Sequence, residues 1–176
     1  PGDLHLPRDP RAARRAVGHL RLREVERHDD PHPVHGIETS DGGFVLVGKG
    51  IESENDDPAI SEAFAVKLSG ATGAVEWMWR SNVKGQDAAN AVAQLPAALG
   101  GALLVAGYRV GKQDGVGHRC VTALNPATGA ELWTAADFGD APGSHGAYEM
   151  IEVAIDASDN TPFVLLAGVR QKPSLD

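Results

Sequence analysis

The chain of 176 residues carries 24 acidic against 16 basic side chains, for a net charge of −8, with 42% apolar content. That length suffices for one sizeable core, and the acidic body excludes the clustered Lys and Arg with which a nucleic-acid surface replaces phosphate counterions. The single Cys120 excludes an internal disulfide framework, and no apolar run reaches the roughly 20 residues of a membrane-spanning helix.

Residues 1–33 form an arm of their own style, with seven Arg, no Lys and six acids, which leaves −9 on the remainder. Pro1, Pro7, Pro10, Pro31 and Pro33 punctuate it. Between them Arg11–Arg27 reads as a helix with Ala13, Ala16, Val17 and Leu20 on one face, although the pattern slips to alternation at Leu20, Leu22 and Glu24. The arm is either exposed or a docking segment for a partner. The chain opens on Pro1 and not Met, which reads as a processed, truncated or incompletely known sequence. Its Arg richness resembles an organellar transit sequence, from which the six acids depart. An organellar or extracytoplasmic location is thereby favoured over a cytosolic one.

A repeat occupies residues 34–176. Phe44-Val-Leu-Val-Gly48, Leu103-Leu-Val-Ala-Gly107 and Val164-Leu-Leu-Ala-Gly168 are apolar runs bounded by turn residues, and their glycines fall 59 and 61 residues apart. Such runs suit strands buried on both faces. A shorter strand precedes each, around His35–Glu38, Ala89–Leu95 and Ala147–Ile155. A third strand follows at Ala63–Leu68 and Arg119–Leu124. Then comes Ala-Thr-Gly-Ala, with Gly73 and Gly129 at positions that call for φ > 0. A fourth strand follows with a Trp, Val75–Arg80 carrying Trp77 and Ala130–Thr134 carrying Trp133.

Four antiparallel strands in about 60 residues is the pattern of a propeller blade. The expected fold is all-β: a partial β-propeller with blades at 34–80, 88–135 and a partial one at 146–176. Closed propellers have roughly 4–8 blades. Two and a half blades expose apolar faces and edges, which calls for a protein partner to cover them.

At the paired turns the sequence resembles the PQQ-like β-propeller repeat of the quinoprotein dehydrogenase-like superfamily, which reads roughly Ala-Leu-Asp-x-x-Thr-Gly-x-x-x-Trp. Val121-Thr-Ala-Leu-Asn-Pro-Ala-Thr-Gly-Ala-Glu-Leu-Trp133 follows it with Asn125 for Asp, and Ala65–Trp77 follows it with Ser69 there. The resemblance implies that Trp77 and Trp133 stack on neighbouring blades and that Gly73 and Gly129 shape the turns. Enzymes of that superfamily bind pyrroloquinoline quinone on the axis of a complete propeller, often beside a vicinal disulfide. One Cys and too few blades depart from that pattern, so no cofactor is expected.

Chemistry-bearing candidates are few. Glu52, Glu54, Asp56 and Asp57 have the ligand types of a Ca²⁺ loop without its spacing, and a solvated loop is the simpler account. His35, Asp87 and His145 open corresponding strands and have zinc-ligand types, against the simpler role of strand-end hydrogen bonding. His5, His19, His28 and His32 read as solvated. Gly111–Gly117 reads as a loop with no nucleotide-binding fingerprint. No catalytic residue is assigned. Cys120 reads as a buried, inert thiol, and Trp79, Tyr108, Phe138 and Tyr148 as packing or interface aromatics.

The expected function is a non-catalytic scaffold or accessory subunit in a larger assembly, such as an organellar (plastid or mitochondrial) membrane complex. Two alternatives stand beside it: a fragment of a quinoprotein-like oxidoreductase, and a propeller that binds small ligands or glycans through loops on one face.

Overall fold

The chain is all-β in a computed structural model that describes residues 32–51, 61–81, 86–110, 117–136, 145–159 and 161–171, excluding the side chains of His32, Ile51, His145 and Gln171. Three antiparallel sheets follow one another along the chain. The first is β1 (His32–Glu38), β2 (Phe44–Ile51), β3 (Ser61–Leu68) and β4 (Val75–Arg80), each strand beside the next. The second repeats that order with β5 (Ala88–Gln94), β6 (Leu103–Val110), β7 (Gly117–Leu124) and β8 (Glu131–Ala136). The third consists of β9 (His145–Ile155) and β10 (Pro162–Gln171). A short 3₁₀ turn at Ala97–Leu99 joins β5 to β6, and no α-helix occurs among the described residues. The helix expected at Arg11–Arg27 lies outside them.

The sheets stack face to face. Val45, Val47, Ala65, Trp77, Leu103 and Val105 close the first junction, and Leu104, Ala106, Val121, Tyr148 and Ile151 close the second. β6 serves both, with Leu103 and Val105 on one side and Leu104 and Ala106 on the other. This is why its sequence is an unbroken apolar run and not an alternating one. Burial of each such aliphatic side chain contributes roughly 1.5–3 kcal/mol.

The units also share their irregularities. In each sheet the first strand carries one extra residue opposite the second: Val34 between Pro33 and His35, Asn90 between Ala89 and Ala91, and Glu149 between Tyr148 and Met150. All three β-bulges sit where the second strand reaches its glycine, because Pro33, Ala89 and Tyr148 pair with Gly48, Gly107 and Gly168. A Cβ on Gly107 would collide with the Ala88 carbonyl oxygen, and one on Gly168 with the equivalent Ala147 oxygen. Gly107 and Gly168 are therefore required by the close approach of the bulged strand. A second bulge recurs before each Trp, at Glu76 and at Leu132.

The Ala-Thr-Gly-Ala turns are the same structure twice. The Gly73 N–H donates to the Ser69 carbonyl (2.8 Å) and the Ser69 N–H to Ala74 (2.8 Å). In the second unit Gly129 donates to Asn125 (2.9 Å) and Asn125 to Ala130 (2.8 Å). Gly73 and Gly129 lie at φ 71° and 70°, the left-handed region that a residue with a Cβ adopts only at a cost.

Candidate functional site

The second unit's turn is tied to the unit before it. The Trp77 indole N–H of β4 donates to the Pro126 carbonyl (3.1 Å) in the second unit's turn, and its ring covers Gly129 so closely that a Cβ there would stand 2.6 Å from Cε3. Lys67 of β3 is buried beneath the same turn, where its ammonium pairs with Asp41 and Glu76 (3.5 Å) and reaches the Pro126 carbonyl (3.4 Å). The Lys67 ammonium, with help from the Thr39 hydroxyl and the Gly43 N–H, holds the Asp41 carboxyl well below the usual carboxylate range. At the equivalent position of the second unit Trp133 stands 49% exposed. The stacking implied for both tryptophans is thus made by Trp77, and no described unit covers Trp133.

Asp87 locks the opposite end of the first junction. Its N–H donates to the Ser61 carbonyl (2.7 Å), the Ser61 hydroxyl donates back to the Asp87 carbonyl (3.1 Å), and Oδ1 accepts from the Val110 N–H (2.9 Å). Asp87 is fully buried, and its Oδ2 and the nearby Ser81 Oγ lack a hydrogen-bond partner. Burial pushes its carboxyl up, and the Val110 bond, the Ser81 hydroxyl and Arg109 only partly offset this. Arg109 spans the same seam, 3.4 Å from Glu131 and 5.9 Å from the centre of the Trp79 ring. Burial also raises Tyr108, with Asp87 and Glu149 adding to the shift.

His35, Asp87 and His145 do not occupy corresponding positions. Counted from the paired glycines, His35 matches Ala91 and Met150, Asp87 matches Gly146, and His145 matches Gln86. His35 Nδ1 accepts from the Val92 N–H (3.3 Å), which places its own proton on Nε2 and links β1 to β5. Among the described residues no three His, Cys, Asp or Glu side chains gather as metal ligands. The acidic run at 52–57, the loop at 111–116, Phe138, His5, His19 and His28 lie outside the described residues. Cys120 is buried on β7, Trp79 packs in the first junction, and Tyr148 packs in the second under Arg119, 5.1 Å from its ring centre.

What stands open is the outward face at each end of the stack. On the first sheet Phe44 is 44% and Met78 50% exposed, with Leu46, Val66 and Leu68 half-buried beside them and Phe64 closing the rear. On the third sheet Met150, Phe163, Leu165 and Val169 are all exposed. β10 pairs only with β9 among the described residues. Open faces were anticipated from the strand count, but their residues were not. Aligning the three glycine-ended runs and taking alternate positions would have named Phe44 and Leu165. No known protein family matches the chain, and no curated protein matches it in sequence.

Proposed function

We propose that the chain is a non-catalytic scaffold or accessory subunit built on a β-propeller-type repeat, resembling the PQQ-like one, and that its two outward sheet faces bind protein. One observation carries the reading. In the middle sheet the run Leu103–Gly107 is buried on both faces, while equivalent apolar side chains on the outer sheets face solvent. Leu103 is 0% exposed where Phe44 is 44%, and Leu104 is 3% exposed where Leu165 is 51%. A contiguous apolar face in a sheet otherwise made for stacking is a binding surface. The shared turns, paired glycines and repeated bulges support the propeller-type reading.

The test is binding of an environment-sensitive apolar dye to the folded chain at dilute concentration. Strong fluorescence enhancement is expected, and Phe44→Glu and Leu165→Glu should each lower it without loss of strand content. A folded chain that leaves the dye dark would remove the reading, because its faces would then be covered from within.

A further inference from the structure

The two open faces are not alike; they are the two halves of one interface. Every unit has a leading face and a trailing face. Phe44 and Leu46 lead in the first unit, Leu103 and Val105 in the second, and Val164 and Leu166 in the third. Val45 and Val47, Leu104 and Ala106, and Leu165 and Ala167 trail. At both junctions inside the chain a trailing face meets a leading one: Val45 and Val47 against Leu103 and Val105, then Leu104 and Ala106 against Leu166 with Tyr148 and Ile151. The surfaces left over are the leading face of the first unit and the trailing face of the third. They are the pair that this interface would join next.

We infer that a second copy of this chain docks head to tail, the third sheet of one copy stacking on the first sheet of the other through Leu165 and Met150 against Phe44 and Leu46. Such a contact is heterologous, and it either closes into a ring or grows without end. This inference rests on the reading above for the open faces that make its contact. One feature opposes tight docking. Glu152, paired with Leu165 on the trailing face, stands where the second unit has Ala93.

Sedimentation velocity of the whole chain across a hundredfold concentration range tests it. Reversible self-association that rises with concentration is expected. Phe44→Glu and Leu165→Glu each spoil one half of the interface and should each sediment as a monomer. Their equimolar mixture retains one intact pair of faces and should form a dimer that is absent from either variant alone. Phe44→Ser and Met150→Ser, milder changes at the same faces, should weaken self-association at least tenfold.

Two results would overturn the inference: a monomer at every concentration, or a Leu165→Glu variant that self-associates as well as the parent. The second would mean that like faces pair. A monomer that still lights the apolar dye would leave the open-face reading standing while this one falls; a dark monomer would end both.

Discussion

The second sheet and the third differ less in sequence than in surroundings. Leu103-Leu-Val-Ala-Gly107 and Val164-Leu-Leu-Ala-Gly168 run in the same register against their bulged partners. In the second sheet every residue of the run is buried; in the third, Val164, Leu165, Ala167 and Gly168 are exposed and only Leu166 is half-buried. Burial here is therefore a property of having neighbours on both sides, as expected where each unit contacts only the next. The exposed copy of the pattern shows what the buried copy is for, and that is the physical basis for reading the outer faces as binding surfaces.

Substitutions should separate backbone requirements, common to both sheets, from packing, which is not. Gly107→Ala is expected to have the largest effect, a loss of about 4 kcal/mol in urea unfolding, because the new Cβ meets a backbone oxygen that cannot move aside. Gly168→Ala should disrupt β9 and β10 just as severely, seen as loss of amide-exchange protection confined to those strands. An unaffected Gly168→Ala would mean that the two bulges are not equivalent.

Packing should then divide the sheets. Leu104→Ala should cost roughly 3 kcal/mol and Leu165→Ala less than about 0.5 kcal/mol in the dilute monomer. Comparable costs would show that the Leu165 face is already covered.

The smallest effect is electrostatic. Asp87→Asn keeps an oxygen for the Val110 N–H and removes a buried carboxylate, so it should be neutral or stabilising by up to about 1 kcal/mol at pH 7. The Asp87 pKa is raised on folding, so its contribution is most favourable below the ordinary value of 3.8 and declines as pH rises through the raised one. The advantage of Asn should therefore shrink towards pH 3. Asp41 works in the opposite sense. Its pKa is lowered on folding, so its contribution is full above 3.8 and fades as the pH falls below that. Chemical unfolding of Asp87→Asn and the parent at pH 3 and pH 7 checks the sign, and an equal difference at both would refute the assignment to Asp87.

Much of this fold was legible in the residues. The glycine-ended runs marked the second strands, and Ala-Thr-Gly-Ala marked the link from third strand to fourth, because a turn at φ near 70° and a doubly buried strand each demand particular residue types. The bulges were not legible. Val34, Asn90 and Glu149 have nothing chemical in common; what fixes their place is the absence of a Cβ on the strand opposite. His35, Asp87 and His145 share only their place near the start of a strand; they lie two residues after, two before and three before the residue paired with the glycine, so the register dissolves the correspondence. The role of Asp87 was equally hidden, since its partners are distant in sequence: Val110 comes beside it when β5 pairs with β6, and Ser61 reaches it only when the sheets stack. The open faces could be counted but not populated, because exposure at Leu165 depends on what lies beside it and not on the residue itself.

The contact between Trp77 and Gly129 has a consequence for recombination. In the sequence each of the first two units carries a turn glycine followed four residues later by a Trp, and the natural cut lies between units. In space the Trp of one unit is matched to the glycine of the next, while the Cβ position of Gly73 is open. The segment that carries a complete contact therefore runs from Trp77 to Gly129, out of phase with the repeat. A shuffled or transplanted unit cut at the sequence boundary brings only half of that contact. A module cut inside the fourth strand would carry its fit with it.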